Sequence, residues 1–162
     1  MNPTDGWQPL HPTARWLFHL QSLAGLAGFW LPVLIGGTFA ASFAVGTTFA
    51  LVGGGVGLFG VFLLALWYPS LSFDRWSWAL REDDLVIRSG VFFLRTTAIP
   101  LGRIQHVDVR QGPLEQGFGL GRLLVFTAAG MGADGVVPGL ALDVAEALRD
   151  RLVTRAQGDD GV

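Results

Sequence analysis

The stretch "WLFHLQSLAGLAGFWLPVLIGGTFAASFAVGTTFALVGGGVGLFGVFLLALWYPSLSF", residues 16–73, contains no Asp, Glu, Lys or Arg. An α-helix needs about 20 apolar residues to cross a bilayer, so this stretch is long enough for two membrane spans and too long for one. It predicts a helical hairpin with spans over residues 17–41 and 47–68. In the second span, Gly53 and Gly57 have the G-x-x-x-G spacing that lets two membrane helices pack closely.

Two other origins of such an apolar stretch fit less well. Residues 39–44 resemble the small-residue cleavage site of a secretory signal, but a signal peptide has a shorter apolar region and no second span after it. A helical hairpin in the core of a soluble protein would keep a polar face, and this stretch shows none. The composition agrees with a membrane protein, because 51% of the 162 residues are hydrophobic and only 15% are charged.

Arginines beside the spans predict the orientation in the membrane. Arg15 precedes the first span and Arg75 and Arg81 follow the second, whereas the connecting turn is uncharged. Because positive residues stay on the cytoplasmic side, both termini of this multi-pass protein are expected in the cytoplasm. The chain has no cysteine, which fits a cytoplasmic domain. Its net charge of -2, without a basic patch, predicts no nucleic-acid partner.

Residues 72–156 carry most of the charges and predict an all-β domain closed by one C-terminal helix. Apolar and polar residues alternate there with the period of two that is typical of half-buried strands. The strands are expected over residues 75–80, 85–89, 91–100, 103–110, 122–129 and 135–139. A helix is expected over residues 143–156, with Ala145, Leu148 and Leu152 as its buried stripe. Residues 1–16 are then a cytoplasmic segment before the spans, and residues 157–162 a flexible tail.

Aromatic residues in the first and third predicted strands are expected to lie in the core of this domain. Trp76 and Trp78 alternate along the first strand and are expected in the core. The run "VFFL", residues 91–94, is likewise expected in the core, where apolar runs of sandwich strands usually lie. The alternative for this run is that it dips into the bilayer.

The stretch "IPLGRIQHVDVRQGPLEQGFGLGRLLVFTAAG", residues 99–130, resembles the bacterial pleckstrin-homology-like (PH-like) membrane proteins of the YdbS-like family. In that family a strand of the form I-P-x-x-R-I-Q-x-V is followed by Q-G-P and then by F-G-L before the next strand. The matching positions are Ile99-Pro100, Arg103-Ile104-Gln105, Val107, Gln111-Gly112-Pro113, Phe118-Gly119-Leu120 and Thr127-Ala128. The chain departs from the family at Gln116-Gly117, where a basic residue is common, and at Ala129.

The resemblance implies both a fold and a setting. The fold is a membrane α-helical hairpin of two transmembrane helices followed by an all-β PH-like sandwich or barrel with one C-terminal α-helix. The setting is the bacterial plasma membrane, in envelope-associated assemblies whose members include partners of the same domain type.

Catalytic, phosphate-binding and metal-binding sites find little support in the same stretch. Gly117, Gly119 and Gly121 precede a strand, whereas a phosphate-binding glycine loop precedes a helix. His106 and Asp108 share one face of a strand, as a general base and its orienting group would, but no nucleophile lies nearby. The other histidines lie near the opposite end of the chain. We therefore expect no enzyme activity, cofactor or metal, and a polar pair on a solvated face.

Two functions remain. The first is a membrane-anchored PH-like interaction module, a non-catalytic subunit or scaffold that binds another membrane protein. Its candidate partner-binding residues are Gln111, Gly112, Pro113, Phe118, Gly119 and Leu120. The alternative is a sensor of anionic lipid headgroups that binds membrane lipids through Arg103, Gln105 and Arg110. Against phosphoinositide binding, the acidic turn at residues 82–84 repels phosphate.

Overall fold

The structure is a computed structural model that describes residues 6–128 and 132–158. The chain divides into two compact units. The helical unit comprises residues 18–71. The β unit comprises the described residues up to Leu17 and those from Ser72 onward.

Two long apolar helices precede the main sheets, as predicted. The first begins as α1, Ala14–Gly25, continues through a π-helical turn, Leu26–Trp30, and ends as α2, Leu31–Val45. Gly46 separates it from α3, Thr47–Arg75. Both helices are long and apolar enough to cross a membrane. The first helix extends beyond its predicted span at both ends, from Ala14 to Val45, and the second extends beyond its predicted end to Arg75.

Large apolar side chains cover the outside of the helical unit. Phe39, Phe43 and Phe49 are all well exposed, although each would be buried in an ordinary soluble protein. Such a surface is unfavourable in water and matches the hydrocarbon of a bilayer.

Small residues line the contact between α2 and α3. A Cβ atom on Gly54 would collide with the Thr38 side chain, and one on Gly57 would lie 3.4 Å from the Leu34 side chain. A Cβ atom on Gly53 would have no described neighbour within 4 Å. Of the two glycines predicted to pack, the structure places Gly57 at this contact, and it adds Gly54.

The β unit contains two antiparallel sheets and two helices. The first sheet has the order β1 (Gln8–Pro9), β2 (Ser77–Leu80), β3 (Asp84–Ser89) and β4 (Arg95–Pro100). The second has the order β5 (Ile104–Arg110), β6 (Leu120–Thr127) and β7 (Gly135–Ala141). A 3-10 turn, Leu101–Arg103, joins the sheets, α4 (Pro113–Gly117) joins β5 to β6, and α5 (Leu142–Gly158) follows β7. The helix α5 thus includes the first two residues of the predicted tail, and the other residues of that tail lie outside the described residues.

The core of the β unit forms between the sheets and under α5. Gly135 on β7 lies against the side chains of Ile87 and Ile99 from the other sheet. Trp78 is buried and Trp76 is half-buried. The fully buried aliphatic residues of the strands and α5 include Leu85, Leu123, Val125, Val137 and Leu152. Ala145 and Leu148 are buried beside Leu152, so the apolar stripe of α5 is buried as predicted.

The third main strand is shorter than predicted. β4 begins at Arg95, and residues 91–94 form a loop between β3 and β4. Gly90 has φ +109, and a Cβ atom there would collide with the Phe93 carbonyl group, so the chain turns before the apolar run. Phe92 and Phe93 are exposed in this loop. The interpretation of this run as core is therefore wrong.

Residues 6–13, which precede the first apolar helix, belong to the β unit. β1 pairs with Ser77 and Trp78 of β2, and the His11 amide donates a hydrogen bond to the Gly139 carbonyl at 3.0 Å. A two-residue strand is too short to show the alternation by which strands are detected in sequence. The sequence pattern therefore does not indicate this pairing.

The first turns of α1 pack on the same unit. Ala14 and Leu17 form a buried cluster with Leu120, and Phe73 packs against it. The Arg15 guanidinium donates a hydrogen bond to the Asp74 carboxylate at 2.8 Å. The residues that enter the first apolar helix and those that leave the second are thus held together on the β unit.

Candidate partner-binding loop and headgroup site

The six predicted partner-binding residues lie within residues 111–120, which we call the β5–β6 loop and which include Leu120, the first residue of β6. The Gln111 side-chain amide donates a hydrogen bond to the Leu120 carbonyl at 2.6 Å, which closes the loop. The Gly119 carbonyl accepts a hydrogen bond from the Leu142 amide at 3.1 Å, which joins the loop to α5. The backbone of the loop is therefore fixed at both ends.

A buried ion pair holds the middle of the loop. The Glu115 carboxylate is 2% exposed and accepts hydrogen bonds from the Gly112 amide at 2.5 Å and from the Arg122 guanidinium at 2.8 Å. A buried carboxylate is tolerated when it has both an opposite charge and hydrogen-bond donors, and Glu115 has both. Because Arg122 lies on β6, this pair fixes α4 against the strand.

Sequence analysis did not identify Glu115 or Arg122 as important. The local signal was present, since Gly112-Pro113 followed by an acidic residue at the third helical position is typical of a helix start. The contact with Arg122 depends on how β6 folds back beside α4, which the local pattern does not show.

The outer side of the loop is apolar. Leu114 is 39% exposed and Phe118 is 36% exposed, and residues four apart lie on one side of a helical turn. Pro113 is also exposed, and Gly119 is exposed with φ +64. Leu120 is buried, so its side chain offers a partner no surface. The accessible part of the predicted site is therefore the face around Phe118, and the structure adds Leu114 to it.

The predicted headgroup residue Arg110 is already paired. Its Nε and terminal nitrogen donate hydrogen bonds to one Asp108 carboxylate oxygen at 3.2 and 3.0 Å. The hydrogen bond from Arg110 holds the pKa of Asp108 below its ordinary value. His106 Nε2 lies 3.4 Å from the other oxygen of Asp108. The three side chains form a solvated polar row along β5, in which Asp108 offsets the charge of Arg110.

Arg103 has a different environment. It is exposed and forms no ion pair with residues 6–128 or 132–158. It borders a surface depression of about 550 Å³ that also contains Glu82, Asp83 and Arg155, and another of about 610 Å³ that contains Gln105. The carboxylates of the first depression oppose an anion, so the second depression is the better anion site.

Arg103 and Arg110 cannot hold the same headgroup phosphate. Arg103 ends the 3-10 turn before β5 and Arg110 is the last residue of β5, and a strand of this length spans roughly 20 Å at a rise of about 3.3 Å per residue. The structure therefore brings Gln105 near Arg103 and leaves Arg110 outside that site. Among the described residues, no group of three or more His, Cys, Asp or Glu side chains is placed to hold a metal ion.

Comparison with known proteins identifies the family. The bacterial PH domain family matches residues 22–156. The chain belongs to the bacterial PH domain family. This bacterial PH domain protein is also similar to the UPF0699 transmembrane protein YdbS of Bacillus subtilis (strain 168), with 31% identity over 109 residues, which cover 66% of this chain and 67% of that protein. No solved structure matches it significantly. The predicted resemblance to YdbS-like membrane proteins is confirmed.

Proposed function

We propose that this bacterial PH domain protein is a membrane-anchored interaction module, a non-catalytic subunit or scaffold that binds another membrane protein through its β5–β6 loop. In this proposal residues 17–69 contain the two membrane spans, and residues 72–156 form a PH-like sandwich closed by α5. The observation that carries the proposal is the construction of the loop. A framework around the buried Glu115 presents Leu114 and Phe118 to solvent.

The framework favours binding because it fixes the loop before a partner arrives. Ordering a loop on binding costs free energy, and a loop that is already fixed avoids most of that cost. Exposed apolar side chains that lie together mark interaction sites, and aromatic side chains are enriched at protein interfaces. Phe118 and Leu114 have these properties, whereas Gln111 and Glu115 serve the loop itself.

The proposed partner is another membrane protein, and proteins with the same domain type are its first candidates. Two proteins anchored in one membrane meet at a high effective concentration, so a small contact surface suffices. The related YdbS is named a transmembrane protein, which supports the membrane setting.

The test is purification of the tagged full-length protein in mild detergent, with and without the double substitution Leu114→Ser and Phe118→Ser. We expect the unchanged protein to retain a stoichiometric membrane-protein partner and the double variant to lose it. The matched control is Val144→Ser, which removes an exposed apolar side chain from α5 and should leave the partner bound.

Two results would contradict the proposal. One is retention of the partner by the double variant while that variant remains folded. The other is recovery of the unchanged protein alone, enriched in one anionic lipid, which would favour headgroup sensing.

A sensor of anionic lipid headgroups is the second candidate function. The exposed Arg103, without an ion pair among the described residues, borders the same depression as Gln105. We expect Arg103→Gln to reduce the anionic lipid that copurifies with the protein. The control is Arg110→Gln, which should change little because Asp108 already offsets that charge. Equal losses in both variants would indicate non-specific attraction.

The proposed topology places both termini in the cytoplasm of a bacterial cell. The chain has no native cysteine, so single introduced cysteines report accessibility without background. Thr47→Cys, at the start of α3 next to the Gly46 turn, should react with an impermeant maleimide in intact cells. Glu82→Cys, in the β unit, should react only after permeabilisation. The reverse pattern would place the β unit outside.

A further inference from the structure

The loop between β3 and β4 presents the most exposed apolar side chains of the β unit's sheets. We call Phe92, Phe93 and Leu94 the apolar tip, and they are 79%, 91% and 62% exposed. Phe93 is more exposed than any large apolar side chain on the two long helices. Elsewhere among the described residues outside those helices, large apolar side chains are at most 41% exposed. The tip therefore differs from the scattered surface leucines and valines of ordinary domains.

The shape of the tip is set by its backbone. Ser89 pairs with Arg95 at the base of the loop, where β3 and β4 end their ladder. Gly90 has φ +109, and its Cα lies so close to the Phe93 carbonyl that no side chain fits there. The loop thus closes on itself through its backbone, and its apolar side chains point away from the sheet.

Charges differ between the two ends of this hairpin. Arg88 and Arg95 lie at the base of the tip, and no acidic residue occurs between positions 85 and 100. The opposite end of β3 begins after the acidic residues Glu82 and Asp83. The hairpin is therefore cationic and apolar at one end and acidic at the other.

The two arginines remain available for an anionic surface. Arg95 forms no ion pair with any residue in the described parts of the chain and is exposed. The Arg88 guanidinium lies over the Trp7 ring, 4.3 Å from its centroid, a contact that keeps the full positive charge. Trp7 adds an indole ring, an aromatic group of the kind enriched at membrane interfaces.

We infer that the apolar tip inserts into the interface of an anionic bilayer, with Arg88 and Arg95 at the level of the lipid phosphates. Aromatic and leucine side chains are the residues that bury at the boundary between headgroups and acyl chains. Basic residues next to them gain from the negative surface of the leaflet. The acidic end of the hairpin is repelled by that surface, which selects the tip as the inserted end.

A bilayer fits this surface better than a protein partner does. The related YdbS is named a transmembrane protein, and β2 begins two residues after α3 ends, so the β unit is tethered to the proposed spans by a short connection. Tethering makes insertion an intramolecular event and lets a small tip suffice. The site is distinct from the β5–β6 loop and from Arg103, so the inference goes beyond the proposed function and needs no partner protein.

The test measures the depth of the tip in full-length protein reconstituted at one copy per nanodisc. An environment-sensitive fluorophore is attached to Leu94→Cys and, as the control, to Glu82→Cys at the other end of β3. The probe lipids are mixtures of phosphatidylglycerol and phosphatidylcholine that carry bromine on the acyl chains. We expect bromolipid to quench the Leu94 label several-fold more than the Glu82 label, and aqueous iodide to show the opposite order.

Further variants separate insertion from the effect of the label. Replacing Phe92 and Phe93 with serine should remove most of the bromolipid quenching at the Leu94 label. Leu114→Ser with Phe118→Ser should leave it unchanged, which separates this inference from the proposed function. Arg95→Gln, or discs of phosphatidylcholine alone, should reduce the quenching.

Three results would overturn the inference. The first is equal bromolipid quenching at the Leu94 and Glu82 labels. The second is quenching at the Leu94 label that persists without Phe92 and Phe93. The third is protection from iodide that arises only when two copies share a disc, which would make the tip a protein contact.

Discussion

The β3–β4 loop and the β5–β6 loop use similar residues in opposite ways. Both connect antiparallel strands, and both contain glycine, phenylalanine and leucine. In the β5–β6 loop, Leu120 is buried and a buried ion pair fixes the backbone. In the β3–β4 loop, the apolar side chains are exposed and only the backbone around Gly90 is constrained. The comparison shows that composition alone does not distinguish a loop that supports the fold from one that presents a surface.

The largest expected loss of stability comes from breaking the ion pair between Glu115 and Arg122. Arg122→Ala leaves the Glu115 carboxylate buried without its opposite charge, so we expect the free energy of unfolding to fall by about 3 kcal/mol, the lower end of the range for a broken buried pair. The lower end applies because Arg122 is 40% exposed, and water reaches the carboxylate once the arginine is gone. Chemical unfolding in detergent measures the loss. A loss as small as that from Arg95→Ala would contradict the role of the pair.

The next largest contrast in stability is expected between Leu120, which is buried, and Leu114, which is exposed on the same β5–β6 loop. Leu120→Ala removes a fully buried side chain next to Ala14 and Leu17, so we expect a loss of about 2–4 kcal/mol. Leu114→Ala, on the exposed side of the same loop, should cost less than about 0.5 kcal/mol. Thermal unfolding of both variants in one detergent tests the difference. Equal losses would show that Leu114 also supports the fold.

Sequence patterns predicted what depends on local composition. The absence of charge over residues 16–73 was enough to predict the two apolar helices, because a bilayer requires continuous apolarity. The spacing of Ala145, Leu148 and Leu152 predicted the buried face of α5, because helical periodicity is local.

Features that depend on distant contacts were missed. β1 is a strand only because it pairs with β2. The ion pair of Glu115 forms only because β6 brings Arg122 to it. The run at residues 91–94 was misplaced because strand propensity does not show where a single glycine turns the chain. Leu120 was predicted to bind a partner together with its neighbour Phe118, because the local sequence does not show that its side chain is buried.

Replacing Gly119 or Gly90 with alanine compares the two loops through backbone conformation, not through side-chain burial. Gly119→Ala should cost about 1–2 kcal/mol, because φ is +64 but space is open around the Cβ position. Gly90→Ala should cost more, because its φ of +109 is unfavourable for alanine and the Cβ atom would collide with backbone. Thermal unfolding ranks the two variants. The reverse order would mean that the β3–β4 loop rearranges easily and that the tip has no fixed shape.

The apolar tip should contribute almost nothing to folding. Phe93→Ser removes a side chain that packs on little else, so we expect the free energy of unfolding in detergent to change by less than about 0.5 kcal/mol. Leu120→Ala measured in parallel supplies the contrast between the loops. A large loss from Phe93→Ser would place Phe93 in the core and remove the basis for its contact with lipid.

The smallest effect is expected at a third connection, between β6 and β7. Its ends are held together by the carboxylate of Asp134, which titrates. The Thr127 hydroxyl and amide donate hydrogen bonds to one Asp134 oxygen at 2.7 and 2.8 Å, and the hydroxyl contact is the larger cause that lowers the Asp134 pKa below 3.8. A lowered pKa in the folded state means that these bonds stabilise the fold above the ordinary pKa and are lost as pH falls through the folded value. The difference in Tm between the unchanged protein and Asp134→Ala should therefore shrink on acidification. Thr127→Val keeps the amide donor and removes the hydroxyl, so the folded-state pKa of Asp134 is lowered less, and the loss should be smaller and complete at a higher pH. Parallel Tm curves would show that Asp134 holds this connection without its charge.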